Sequence, residues 1–279
     1  MNEGPAKKRN VGIRMAKSEY VAFFDDDVHI YPKCIENMHE ALLAEPTAGM
    51  AYGKLHNFEH KNRFDEAGSF ITSTGFLWSR AGQNIVDEGQ YDKPEYILAG
   101  KSASCMVRKS IFYEVGGFDE DFFILGEETD LSWRMWLMGF KVLWVPSSYC
   151  EHKFNTKYKP VRKHYNTTRV QFMGCRNYLT MLYKNLGKEH LWIIPIHLTI
   201  WFFAALAMVG TFKVGQGVKI LQGIWAFLKN WKVNTQKRKT IQAKRMTDED
   251  ILWPIISRRT PRGYYTQRFA KYIRIGLHG

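Results

Sequence analysis

Asp25, Asp26 and Asp27 follow directly on the apolar run Tyr20-Val21-Ala22-Phe23-Phe24. Neighbouring carboxylates raise one another's pKa unless positive charge sits among them, and a divalent cation removes that cost. Hard oxygen ligands suit Mg2+ or Mn2+, and such an ion clamped on a diphosphate neutralises charge as a nucleotide departs. Asp25 and Asp27, as alternate residues, can act together while Asp26 points elsewhere. The same triplet also suits a solvated acidic turn capping the helix that opens at Pro32.

A second acidic group, Gly126-Glu127-Glu128-Thr129-Asp130, precedes Leu131-Ser132-Trp133-Arg134. Acids at a helix N-terminus complement its dipole, so Glu127 or Asp130 can be explained as capping residues. Transfer to a hydroxyl, however, needs a base within reach of the acceptor proton, and a carboxylate at a loop-to-helix junction can be held for that task. Glu128 is the choice for the base, with Glu127 orienting its neighbours. His152 follows a strand and short loop from which an imidazole could return to a metal beside Asp27. Arg169 and Arg176 are candidates for gripping donor phosphates, or else decorate a basic helix.

Elements that position these groups can be read from periodicity. A short helix is expected over residues 5–18, a buried strand over Tyr20–Phe24, and a helix from Pro32 to Glu45 with Ile35, Met38, His39, Leu42 and Leu43 at helical spacing. Gly49–Leu55 reads as a strand, and His56–Lys93 as long polar loops over a site. Further expectations are a strand at Ser102–Val107, a helix at Lys109–Val115, a turn at Gly116-Gly117, a helix at Thr129–Met138, and a strand at Lys141–Val145 stopped by Pro146. The alternation indicates an α/β domain. Beyond His152, an amphipathic helix is expected over Tyr165–Leu186. Leu191–Phe212 then runs 22 residues without a formal charge, long enough to cross a bilayer, although Pro195, His197 and Gly210 equally suit a helix lying in the interface. A buried helix of a soluble core is the third reading.

Lys and Arg total 40 against 27 Asp and Glu, a balance that attracts polyanions or anionic lipid. Because Lys213, Lys219, Lys229, Lys232, Lys237, Arg238, Lys239, Lys244 and Arg245 come directly after the apolar segment, a membrane surface is favoured. With 45% hydrophobic and 15% aromatic residues, the chain is too apolar for a solvated disordered polymer. Cys34, Cys105, Cys150 and Cys175 are widely spaced with no CxxC pair, and read as reduced core residues of a cytoplasmic protein. Met1–Asn10 has no apolar core and is not a secretory signal.

Taken in order, Arg9-Asn10, Phe24-Asp25-Asp26-Asp27, Gly116-Gly117-Phe118-Asp119-Glu120, Glu127–Arg134 and His152 resemble the motifs of the family 2 inverting glycosyltransferases of the GT-A fold. The resemblance covers residues 4 to 186 and, more loosely, the apolar and basic tail. It implies a GT-A-like α/β catalytic domain over 1–186 and a membrane-associating region over 187–279, at the cytoplasmic face of the membrane. It also implies that Arg9, Asp25, Asp26, Asp27 and Arg176 meet a nucleotide-sugar donor, and that Asp25, Asp27 and His152 hold Mn2+ or Mg2+. Gly117, Phe118 and Asp119 would meet a glycan or lipid-linked acceptor, with Glu128, Glu127 and Asp130 as the catalytic acids. The family usually has Asp where Glu128 stands, which leaves Glu128 and Asp130 both open as the base. Its members start with further strands and a helix that hold the nucleotide base. Here only the helix before Asp25 precedes, so a truncated nucleotide half, with a partner supplying the rest, is expected. The alternative is a catalytically inactive, membrane-bound remnant or scaffold. A nucleotidyltransferase would want a Gly-rich phosphate loop bearing Lys or Arg, and a nucleic-acid binder a recognised helix or sheet module; neither is present, and no nucleic-acid partner is expected.

Overall fold

The computed structural model describes residues 3–81, 85–153 and 167–258. Helix α1 (Gly4–Met15) carries Pro5 in its first turn, where the missing N–H costs nothing, and leads into β1 (Tyr20–Phe24). Next come β2 (Val28–Ile30), α2 (Cys34–Ala44) and β3 (Ala48–Asn57). The segment expected as long loops instead folds into β4 (Phe64–Glu66), β5 (Ser69–Thr72) and β6 (Leu77–Ser79), followed by β7 (Glu95–Tyr96). Their strands are only two to four residues long, too short for periodicity to separate them from polar loop. Then follow β8 (Ser104–Arg108), α3 (Lys109–Glu114), α4 (Glu127–Leu137) and β9 (Lys141–His152).

The main sheet has the order β1-β8-β3-β9-β2, with β4 added to β3 and β7 to β9. Only β3 and β9 run parallel; the other pairs are antiparallel. Pro146, expected to end a strand, lies inside β9. The sheet accommodates it because the β3 partner shifts from Val145 at Gly53 to Tyr149 at Lys54, leaving residues 146–148 as a bulge. Side chains of β3 alternate between two cores. Met50 and Tyr52 face α1, α3 and α4, while Ala51 and Leu55 pack with Met38 and Leu42 of α2.

The helix expected from Tyr165 is described from Thr167 and forms α5 (Thr167–Asn185); residues 165 and 166, and the tail beyond Arg258, lie outside the described residues. The apolar segment forms α6 (Ile193–Gly210), with Pro195 in its first turn, followed by α7 (Val214–Lys229), α8 (Trp231–Ala243), α9 (Glu249–Ile256) and β10 (Ser257–Arg258). β10 returns to pair with β5 in a second, three-stranded sheet. Helices α7 and α8 pack on α5, and Phe227, Ile241 and Leu252 join the same apolar cluster as Trp133 and Trp144.

An ionic lock reinforces that packing. Lys184 of α5 is 1% exposed, with its Nζ 2.6 Å from Asp119 Oδ2 and 3.0 Å from Asp130 Oδ1, and Lys237 of α8 places its Nζ 2.6 Å from Asp119 Oδ1. Burial opposes the charge on Asp119, but Lys184 and then Lys237 outweigh it and hold the carboxyl well below its ordinary range. Removing one partner of a buried pair strands the other charge, so Lys184→Met is expected to lower stability by about 3 kcal/mol in urea unfolding at pH 7. A depressed carboxylate pKa contributes stability above the unfolded value and loses it as pH falls toward the folded one, so the gap between variant and wild type should begin to narrow below about pH 4 and shrink steadily with further acid. An unchanged gap in acid would refute the lock.

Candidate active site

The strand register brings the acidic triplet and the histidine together. β2 begins directly after Asp27 and runs antiparallel to the end of β9, with Val28 opposite His152, so Asp27 and His152 must be neighbours. Lys153 N–H donates to the Asp27 carbonyl at 2.9 Å and fixes that closure. Asp27 Oδ1 lies 3.2 Å from His152 Nε2, and ligand atoms of Asp25, Asp27 and His152 all lie within 4.8 Å of one another. Two carboxylates and one imidazole at this spacing form a donor set able to hold a divalent cation.

Asp65 was not anticipated. β4 pairs with β3 through Phe64–His56 and Glu66–Leu55, so Asp65 is the extra residue of a bulge. Bulges re-aim side chains, and this one directs Asp65 to His152, whose Nδ1–H donates to Oδ2 at 2.8 Å. Lys101 Nζ donates to the same oxygen at 2.7 Å. Burial works against ionised Asp65, but Lys101 and the His152 hydrogen bond more than offset it and lower its pKa. A carboxylate on one imidazole nitrogen fixes the tautomer and leaves Nε2 as the metal-facing atom. A lone Asp in a stretch read as loop carries no periodic signal that could have found it.

Arg9 and Asn10 of α1 tie three motifs together. Arg9 donates from Nη2 to Asp25 Oδ1 at 3.0 Å and from Nη1 to Glu127 Oε1 at 3.1 Å. Asn10 Nδ2 donates at 2.9 Å to the Phe118 carbonyl and to Glu120 Oε1, while its Oδ1 accepts from Phe118 N–H at 3.0 Å. Glu127 and Glu128 lie in the first turn of α4, two residues earlier than the expected helix start, because Gly126 takes the left-handed φ of 88° before them. Glu127 is 3% exposed and clamped by Arg9; Glu128 is partly exposed. Burial, followed by the charge of the neighbouring Glu127, pushes the Glu128 pKa up.

Other expected site residues are turned to different work. Asp130 is fully buried; Arg134 Nε donates to its Oδ2 at 3.0 Å and Asn185 to its Oδ1 at 2.8 Å, beside Lys184. With both oxygens engaged it has no face for an acceptor proton, a correction to its reading as a base. Phe118 is 2% exposed in the main core, and Asp119 is engaged by Lys184 and Lys237, so neither offers an acceptor a free polar group. Gly117 adopts a φ of 65°, the turn that lets Phe118 enter the core. Arg176 Nη2 donates to the carbonyl of Asp121 at 2.7 Å and Nε to Asn177 Oδ1 at 3.0 Å, and Arg169 lies over the Phe123 ring, so both brace the 119–126 loop. Asp26 is exposed.

A mixed α/β sheet flanked by helices, with the acidic triplet, the paired acids and the histidine brought together on it, has the architecture of a GT-A-like fold. The family model described as "Glycosyltransferase like family 2" matches residues 2–195, and the chain belongs to that family. The chain is 44% identical over 144 residues to the N-acetylglucosaminyl-diphospho-decaprenol L-rhamnosyltransferase of Mycobacterium tuberculosis, covering 48% of this chain and 47% of that protein. It is 26% identical over 157 residues to the pre-mycofactocin glycosyltransferase of Mycobacterium tuberculosis, over 56% of this chain and 31% of the relative. The chain thus spans roughly a third to a half of the curated relatives it matches. GalNAc-T7, solved with UDP, GalNAc and Mn2+, superimposes with a TM-score of 0.51 at 15% identity, over 74% of this chain and 37% of that one, a likeness of fold.

A carboxyl kept neutral by burial and by a like charge costs folding free energy once it ionises. Its raised pKa makes the folded state lose stability as pH rises through the carboxylate range, the opposite sign to Asp119. Glu128→Gln, which keeps the shape and removes the titrating carboxyl, is therefore expected to melt about 2–4 °C above the wild type at pH 8. At pH 4 the two should coincide. Equal melting at pH 8 would show that the pair carries no such strain.

Proposed function

We propose that the chain transfers a sugar from a nucleotide-diphosphate sugar to an acceptor hydroxyl, with inversion at the anomeric carbon. The supporting observation is the joining of two sites: Asp25, Asp27 and His152 lie within 4.8 Å of one another, and Arg9 links Asp25 directly to Glu127 beside Glu128. Asp25, Asp27 and His152 would hold Mn2+ or Mg2+, which when bound offsets charge on the departing diphosphate. Asp26 and Arg9 contribute to the donor side, Arg9 by balancing the carboxylates around it. Glu128 in its ionised form accepts the proton of the attacking hydroxyl, and Glu127, fixed by Arg9, orients it. One displacement with base and leaving group on opposite sides gives inversion.

The acceptor is proposed to be a glycan or lipid-linked glycan of the cell envelope, met at the cytoplasmic face of the membrane. Lys188–Gly210, which contains α6, is the one described helical span long and apolar enough to cross a membrane, only 28% of its apolar stretch is buried, and Phe202, Phe203, Leu206, Val209 and Phe212 are exposed on or just beyond it. Lysines 213, 219, 229 and 232 accompany this apolar surface and complement anionic headgroups. The printed name of the mycobacterial rhamnosyltransferase pairs its sugar with a diphospho-decaprenol, which supports the lipid-linked choice. Within this reading, residues 1–186 form the catalytic part and 187–279 the membrane-associating part. A partner segment pairing with the edge strand β1, which has β8 on one side, would extend the nucleotide half.

Calorimetric titration of UDP, GDP and dTDP with and without Mn2+ tests the donor site. One nucleotide is expected to bind in a metal-dependent manner, with Asp27→Asn abolishing binding and Asp65→Asn weakening the metal about 10–100-fold. No binding by any nucleotide would sink autonomous activity and leave an inactive remnant of the fold. Where transfer is measured, Glu128→Gln should keep nucleotide binding and lose about 10²–10⁴ in rate, whereas Asp130→Asn should act through stability. A fully active Glu128→Gln would remove Glu128 from the base role.

A further inference from the structure

Away from the acidic site, two thiols meet. Cys34 Sγ and Cys150 Sγ are 3.2 Å apart in the smaller core cluster between α2 and the sheet, whereas Cys105 and Cys175 lie in the larger one. All four cysteines are free. Cys34 is the first residue of α2, where the helix N-terminus favours a thiolate. Ser148 Oγ lies 3.1 Å from its sulfur. Hydrogen bonding to Cys150 holds the Cys34 thiol below its usual range in spite of burial. Cys34 is only 1% exposed, and it borders a cleft of about 620 Å³ whose walls include Tyr20, Tyr31, Lys33, His39 and Met106, the side from which a small solute would reach its sulfur.

We propose that Cys34 and Cys150 form an oxidisable dithiol, a modification site at which a hydroperoxide entering the cleft is reduced and an internal disulfide is left behind. The Cys34 thiolate attacks one peroxide oxygen; the O–O bond breaks, an alkoxide or hydroxide leaves and takes up a proton, and Cys34 becomes a sulfenic acid. The Cys150 sulfur then attacks the Cys34 sulfur. The S–S bond forms as the S–O bond breaks, and the hydroxyl leaves as water with the Cys150 proton. Two thiols lose two electrons, and one hydroperoxide becomes an alcohol and a water. Closing the bond asks the sulfurs to approach by about 1 Å, a shift that side-chain torsions can supply.

The bridge would tie the start of α2 to β9 two residues before His152. β2 pairs with β9 at Ile30–Cys150 and Val28–His152, so Cys150 sits on the strand pair that joins Asp27 to His152, and Cys34 opens the helix that follows β2. Redox state and the acidic site are thereby mechanically connected, while the dithiol stands independently of the transferase reading.

Intact-mass measurement of the reduced chain after mild hydrogen peroxide treatment tests this. A loss of about 2 Da is expected, reversed by dithiothreitol, with a single peptide linking Cys34 to Cys150. Cys150→Ser should trap the sulfenic acid at Cys34 as a dimedone adduct, and Cys34→Ser should form neither adduct nor bridge. The proposal is overturned if wild-type Cys34 and Cys150 both remain alkylatable after peroxide. It is equally overturned if the bridge joins a different pair, or if dimedone labels Cys150 rather than Cys34.

Discussion

One guanidinium carries the arrangement. Asp25, Glu127 and Glu128 come from two elements more than a hundred residues apart, and three carboxyls in a partly dehydrated site repel unless compensated. Arg9 sits between them, 13% exposed at its side chain, bonded to Asp25 on one amino group and to Glu127 on the other. Its planar fork suits two carboxylates at a fixed angle, which a lysine point charge would not reproduce. The next residue, Asn10, uses all of its amide to hold the 118–120 loop, so a single turn of α1 sets the relative position of the DxD end, the paired acids and the turn between them.

Compensation at Arg9 is incomplete, and the remainder is informative. Burial raises the pKa of both acids, but Glu127 is bonded to Arg9 while the largest charge acting on Glu128 is its carboxyl neighbour Glu127. Asymmetry of this kind separates a carboxylate that orients from one that exchanges protons at working pH. The other end of the site is built on the same principle with different parts. Lys101 balances Asp65, Asp65 fixes the His152 ring, and His152 turns its Nε2 toward Asp27.

Much of this was legible in the residues. Consecutive acids after an apolar run, a glycine before paired glutamates, and a late histidine have few joint explanations, and the helices and strands that bear them show clear periodicity. Two features escaped for physical reasons. β4, β5 and β6 gain their stability from pairing with distant segments, so nothing local distinguishes them from loop, and Asp65 acquires its direction from a bulge that exists only once β3 and β4 meet. The reverse error arose at Phe118, Asp119, Asp130 and Arg176. Their motif positions point toward a ligand, but partners from α5 and α8 claim Asp119 and Asp130, and loop carbonyls claim Arg176. A carboxylate's availability depends on which cations fold against it, and spacing along the chain does not carry that information.

Those partners also explain why the C-terminal helices cannot be a detached appendage in this fold. Lys237 of α8 reaches Asp119, Gln242 donates to the carbonyls of Lys184 and Asn185, and Arg238 donates to those of Tyr183 and Leu186. The helix that shares a seam with α5 therefore satisfies backbone groups at the end of α5 and charge beneath α4 at once. Because α4 opens with Glu127 and Glu128, α7 and α8 are packed through α5 against the helix that carries the paired acids. α6 packs on α7 and α5, and Lys184 of α5 holds Asp119 and Asp130 beneath α4, so the exposed apolar helix and the paired acids belong to one packed assembly.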